Sequence, residues 1–242
     1  ISCHVAMGNY DRGGRFVERL HGAGLLADDL LFVHGSALTD DEIGHVADAG
    51  AGISSTPETE LQMGMGHPVA ERARARGAAA SLGIDIVSNY SGDMFSQMRL
   101  QLQAQRAWEH ARDGAPPRVL KLKARDVLAL ATAGGARVAG LDSKVGSLAP
   151  GKRADVVLVR TDAIHMVPAI DPVGAVVLNA NVGDVDTVLV AGRIVKRAGR
   201  LTQIDWPRLA EKLRESSRRI VAGFHSVPLG EIEAFFAPLM VE

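Results

Sequence analysis

The stretch "SLGIDIVSNYSGDMF", residues 81–95, begins as an apolar run that carries a carboxylate, Asp85, within it. It then turns polar and Gly-rich before opening what reads as a helix. An unpaired buried charge is strongly unfavourable, so an acid at the inner end of a predicted strand asks for a cationic partner. A strand passing through a polar junction into a helix is also the unit from which parallel sheets are built.

The same pattern recurs upstream. Short apolar runs stand at "ISCHVAM" (1–7), "LLFVHGSAL" (30–38), "AGISSTP" (51–57) and "ASLGIDIV" (80–87). Between them, "DRGGRFVERLHGAG" ends in Gly, and "TDDEIGHVADAG" opens with a Thr39 and Glu42 capping box and closes at Gly50. "HPVAERARARG" again stops at a Gly. This alternation predicts an α/β fold with parallel strands.

After Gly92 the pattern changes. Residues 93–112 read as one long helix and "KARDVLALATAGGARVAGL" (123–141) as another. "GSLAPGKRADVVLV", "AVVLNA" and the Val-rich "VDTVLVAGRIVKRAGRL" follow, the last with a Gly at each hairpin-like break, so it reads as β-structure. A charged amphipathic helix is expected from Trp206 to Val221. The expected divisions are 1–142, 143–204 and a helical tail over 205–242.

Composition removes several function classes. The 27 basic and 28 acidic residues give a net charge of −1, which points to neither nucleic acid nor an anionic membrane surface. The single cysteine, Cys3, excludes an internal disulfide framework and fits a reducing compartment, so a cytoplasmic location is expected. No apolar stretch is long enough to span a bilayer, and no signal peptide is visible. The chain starts at Ile1 within a predicted core strand, so a fragment of a longer protein is expected.

Three residues stand at three predicted strand ends: His4 in the first strand, His34 closing the second and Asp85 closing the fourth. Singly, each has an ordinary explanation. A lone His on an apolar strand is more often a satisfied core residue than a ligand, and a lone Asp after a strand is often a helix cap. His21, His45 and His110 fall on predicted helices among charged neighbours and read as surface, while His165 and His225 lie in late connecting segments. In a barrel of parallel strands, however, the C-terminal strand ends face one mouth. Two imidazoles and a carboxylate delivered there suit a zinc-type ion, which would also give Asp85 its cation.

At this point the chain resembles a known family. "SLGID" stands where the cytosine-deaminase and chlorohydrolase branch of the amidohydrolase superfamily has Ser-Leu-Gly-Thr-Asp, and "DMFSQMRL" matches the helix after it. "LLFVHGSALTDDEIGHVADAG" is similar to the strand-six segment of that branch. "LALATAGGARVAGLDSKVGSLAPGKRADVVLV" resembles the passage into the second domain, and "VLVAGRIVKRAGRL" the closing hairpin. The resemblance runs from Ile1 to about Leu201.

It implies the C-terminal part of a (β/α)8 TIM barrel, strands five to eight, followed by part of a small β-sandwich. His4 would be the strand-five metal ligand. His34 would hold the attacking water or a second metal, and Asp85 would be both ligand and proton-accepting base. The implied cofactor is one divalent metal ion, zinc first, with iron or manganese as alternatives. The implied reaction is hydrolysis of a non-peptide carbon–nitrogen bond by metal-activated hydroxide on a small-molecule substrate, and a homo-oligomer is expected for the full-length protein.

Two departures from the family pattern matter. Where deaminase members carry a Glu three residues after the strand-five His, this chain has Met7, which cannot donate a proton, so an activity other than amino-heterocycle deamination is expected. "STPETELQMGMGHP" replaces the usual Pro-x-Ser-Asn stretch; Glu58, Glu60 and His67 could line a substrate pocket there, or form an ordinary surface loop. The His-x-His pair that opens the family barrel is missing from these residues. The alternative reading is therefore a catalytically silent remnant or scaffold subunit. A metal-free α/β binding protein is a third reading, but it leaves Asp85 unexplained.

Overall fold

The computed structural model describes residues 1–11, 14–88, 90–224, 226–232 and 234, so His225 lies outside the described residues, as does much of the expected tail beyond it. Each predicted apolar run contains or overlaps a strand: β1 (Ser2–Val5), β2 (Leu31–His34), β3 (Gly52–Ser55) and β4 (Ala79–Leu82). They pair in parallel in the order β1-β2-β3-β4, with Val5 opposite His34 and Ser54 opposite Ser81. All four C-terminal ends therefore lie at one end of the sheet.

The crossover helices are α1 (Phe16–Gly22), α2 (Asp40–Asp48), α3 (Pro57–Gln62) and α4 (Ala70–Ala75). The capping box read from the sequence is present in α2. The Glu42 N–H donates to Thr39 Oγ1 at 3.2 Å, and the Thr39 N–H donates to the Glu42 carboxylate at 3.1 Å. Ile43 and Val46 on the same helix are fully buried with Phe32, Ile53 and Val69 in the main core. Burying each such side chain contributes about 1.5–3 kcal/mol, and this is what fixes the helices to the sheet.

The long helix is α5 (Met94–Asp113). Asp93 caps it by accepting the Ser96 N–H at 2.8 Å. Gly114 closes it in the left-handed conformation, with φ of 67°. Next, α6 (Ala124–Ala129), a π-helical turn (Leu130–Gly134) and α7 (Gly135–Val138) follow without a break. The π turn passes so close to β4 that a Cβ on Gly134 would sit 2.5 Å from the Ala80 carbonyl oxygen. Only glycine allows that approach.

The second sheet is antiparallel over β5 (Val156–Val159), β6 (Val185–Val190) and β7 (Arg193–Arg197), with β8 (Arg200–Leu201) as its last strand. "AVVLNA" falls inside the part expected to be β-structure, yet it belongs to α8 (Pro172–Leu178). The cause is local: Asp171 caps the helix through the Val173 N–H, and Pro172 sits at the first helical turn, where its missing N–H costs nothing. A small cluster of Met166, Ala175 and Ala180 packs under α8.

Residues 1–200 form one compact unit and 201–242 another. In the second unit, α9 (Trp206–Phe224) contains the predicted tail helix and extends three residues past Val221. No helix among the described residues is long and apolar enough to cross a membrane.

Candidate active site

Sequence reasoning placed Asp85 at the buried end of a strand, and the structure corrects this. Strand β4 stops at Leu82, and the last sheet bond nearby runs from the Gly83 N–H to the Ser55 carbonyl at 2.8 Å. Asp85 lies three residues further on, exposed, in the left-handed region with φ of 57°. Water therefore solvates its charge, and the burial penalty that seemed to demand a cation does not arise.

His4 and His34 do come together. They are carried by neighbouring parallel strands, and His34 Nε2 lies 3.2 Å from His4 Nδ1 with the rings edge-on at 4.8 Å between centroids. His34 is 1 % exposed, whereas His4, on the outer strand β1, is open to solvent. Two nitrogens each about 2.0–2.1 Å from a tetrahedral zinc lie about 3.3–3.4 Å apart, so this pair fits two positions of such a site. No group of three His, Cys, Asp or Glu disposed to hold a metal occurs among the described residues. The pair is thus half of a donor set, and Asp85 does not complete it here.

The backbone adds a signal that composition could not show. Ala6, His34 and Asp85 all adopt positive φ, at 49°, 70° and 57°. They stand at or just past the ends of β1, β2 and β4. A non-glycine residue in this region costs about 1–2 kcal/mol, and such strain collects at functional sites.

The stretch after β3 is more tightly built than an open loop. Glu60 is fully buried: its Oε1 accepts the Thr56 N–H at 2.7 Å and lies 3.6 Å from His34 Nδ1. Thr56 Oγ1 is 2.9 Å from the same ring nitrogen. Glu58 is half-buried and tied to α5, accepting from Gln97 Nε2 at 2.9 Å. His67 is exposed, two residues before the structurally buried Val69.

Tyr90 escaped sequence reasoning altogether. Its hydroxyl donates to the Ile84 carbonyl at 3.0 Å and meets Thr59 Oγ1. Burial raises its pKa, opposed by the Ile86 N–H and reinforced by the negative charges of Asp85, Glu58 and Glu60. Three of the candidate carboxylates thus act on one phenol. An aromatic with a polar tip inside the polar junction "SNYSGD" was the available clue.

A cavity of about 480 Å³ is lined by Arg72, Arg76, Trp108 and Arg112 among others, and another of about 150 Å³ by residues around Val5, Ala6 and Leu38. None of the candidate residues lines either. Donor chemistry, not volume, marks the site.

Comparisons with known proteins identify the family. Residues 6–195 match the model of the amidohydrolase family. The chain is 34% identical over 199 residues to a 5-methylthioadenosine/S-adenosylhomocysteine deaminase of Desulforudis audaxviator, covering 82% of this chain and 45% of that protein. A 5'-deoxyadenosine deaminase of Methanothermobacter thermautotrophicus is 34% identical over 190 residues, covering 78% and 42%. A zinc-bound adenosine deaminase from Xanthomonas campestris superposes with a TM-score of 0.81 at 28% identity, over 91% of this chain and 51% of that one.

The chain spans about half the length of these relatives. The relatives are named as deaminases, so reading Met7 as a bar to deamination finds no support in them. With a family match over most of its length, this chain belongs to the amidohydrolase family.

Proposed function

We propose that this chain is the C-terminal part of a metal-dependent hydrolase that cleaves a non-peptide carbon–nitrogen bond in a small molecule, with strands β1–β4 serving as strands five to eight of a TIM barrel. The second sheet would then be part of the small β-sandwich that accompanies such a barrel. The names of the relatives make an adenosine-type nucleoside the first substrate class to assay. The observation that carries the reading is the His4–His34 pair, whose 3.2 Å separation suits two ligands of one ion.

A bound divalent ion, zinc in first place, would lower the pKa of a water to about 7 and polarise the substrate. His4 and His34 would hold it through the two facing ring nitrogens. Asp85, left free by its exposed position, would accept a proton and return it to the leaving nitrogen. The further donors would come from residues outside those described. Met7 supplies no proton, so a deamination would draw its leaving-group proton from Asp85 or from a group beyond the described residues.

The experiment is a turnover assay on the intact protein with adenosine-type nucleosides, before and after removal of metal by a chelator and again after zinc is restored. Activity that is lost and then regained supports the reading; activity indifferent to chelation contradicts it. A catalytically silent role is favoured by one observation, the lack of a three-donor group among the described residues. That role predicts no metal-dependent turnover in the intact protein.

A further inference from the structure

Gln97 lies on α5 and is 0 % exposed, yet both ends of its amide are engaged. Its Oε1 accepts the Glu58 N–H at 3.0 Å, and its Nε2 donates to Glu58 Oε2 at 2.9 Å. A backbone N–H can only donate, so the amide oxygen faces it and the NH2 group faces the carboxylate. The direction of both bonds follows from this alone, whatever the charge on Glu58.

The clasp meets a need of α3. The first N–H groups of a helix have no partner within it, and Thr56, at the cap position, makes no side-chain cap bond. Pro57 has no N–H to satisfy, so Glu58 carries the first donor inside the helix. Gln97 supplies the acceptor from 39 positions away.

The segment held in this way touches residues from the other three strand ends. Thr56 Oγ1 lies 2.9 Å from Nδ1 of His34, which closes β2. Tyr10, after β1, donates its hydroxyl to the Met63 carbonyl at 3.1 Å, and Tyr90, after β4, meets Thr59.

We infer that Gln97 is a positioning residue, which caps α3 and grips Glu58 and so fixes residues 56–60 against His34. Glu58 is then a tether and not a substrate contact. The consequence for metal binding rests on the hydrolase reading proposed above; the clasp itself does not. In the sequence, a Gln within "MFSQMRLQLQAQR" reads as an ordinary polar helix position.

Exchanging the partners probes the direction of the clasp. Gln97→Leu removes both bonds, and Gln97→Glu sets two carboxylates against each other. In the double variant E58Q/Q97E, the donor and acceptor change places. The carboxylate at position 97 takes the residue-58 N–H with one oxygen, and the amide at position 58 donates to the other.

The test is residue-resolved amide hydrogen exchange by NMR on the intact, metal-free protein and these three variants, followed by zinc titration of all four. Each single variant is expected to exchange the residue-58 amide about tenfold faster than the wild type, as loss of a hydrogen bond implies. The amides of β6 and β7 should keep their rates, and zinc should bind about tenfold more weakly, as it does when an outer support is lost. The double variant is expected to regain both wild-type values. A wild-type exchange rate in Q97L, a uniform acceleration along the chain, or a double variant that fails to regain either value overturns the inference. Should Q97E not fold, a folded double variant supports the clasp and an unfolded one contradicts it. Exchange uses neither metal nor substrate, so a wild type that binds no zinc would overturn the hydrolase reading while the exchange rates still decide the clasp.

Discussion

His34 Nε2 faces His4 Nδ1 at 3.2 Å across two parallel strands, although the two residues are 30 positions apart in sequence. The pairing of β1 with β2 sets this distance. Val5 lies opposite His34 in the register, and the left-handed backbone at His34 turns its side chain relative to the strand that carries it. The consequences reach metal binding, stability and pH response.

Asp85 is exposed, so replacing it should hardly disturb the fold. Asp85→Asn in the intact enzyme is expected to lower turnover about 10²–10⁴-fold, the usual worth of a positioned acid–base group. Its melting temperature should stay close to that of the wild type, since surface changes are usually within about 0.5 kcal/mol. Steady-state kinetics alongside thermal denaturation checks both halves; wild-type-like turnover would remove Asp85 from the mechanism.

Adjacent glycines should respond oppositely. A Cβ on Gly134 would stand 2.5 Å from the Ala80 carbonyl oxygen, which is backbone and cannot swing away. Gly134→Ala is expected to destabilise by about 1–3 kcal/mol, as overpacking does. Gly135 has φ of −57° and open space around its Cβ position, so Gly135→Ala should be neutral or stabilise by up to about 1 kcal/mol. Denaturant unfolding of the two variants decides it, and equal effects would contradict the close approach of the π turn to β4.

Asp93 couples the long helix to acid. Burial pushes its pKa up, but hydrogen bonds from Ser91 and from the Ser96 N–H and hydroxyl outweigh this and hold it below its usual 3.8. A carboxyl whose folded pKa is depressed contributes stability above its unfolded pKa and loses it as pH falls through the lower folded value. Stability from Asp93 is therefore present at neutral pH and fades below about pH 3.8. Asp93→Ala should cost about 1 kcal/mol at pH 7, and the deficit should shrink in strong acid. Unfolding curves at pH 7 and pH 3 show whether it does.

The core makes a plainer demand. Phe32 is completely buried in the central strand β2 among Ile43, Val46 and Ile53. Phe32→Ala is expected to cost about 3–5 kcal/mol, read as a lowered denaturant midpoint. A loss below about 1 kcal/mol would mean that β2 is not packed as described.

Much of this architecture was legible because its signals are local. Gly24, Gly50 and Gly77 end or follow helices, and Thr39 with Glu42 announces a start, so the βα alternation could be read from short windows. The end of β4 was not legible. Ile84, Ile86 and Val87 continue the apolar run, while the backbone leaves the sheet at Gly83 and takes a left-handed turn that no residue type there requires. The histidine pair was legible as two strand-end residues, but its 3.2 Å contact depends on register across 30 residues. Glu60 was named as a pocket candidate but not as a neighbour of His34, and Tyr90 was not named at all, for a similar reason. Their roles rest on partners in other segments, His34 for the one and Asp85, Glu58 and Glu60 for the other.

The most direct test of the account is the metal content of the intact protein, measured by native mass spectrometry for the wild type and for His4→Ala. The wild type is expected to carry about one divalent ion per chain and the variant to lose it, because a tetrahedral site deprived of a histidine binds weakly. A wild type with no ion, or a His4→Ala variant that keeps its full complement, would contradict the claim that His4 and His34 hold a catalytic metal.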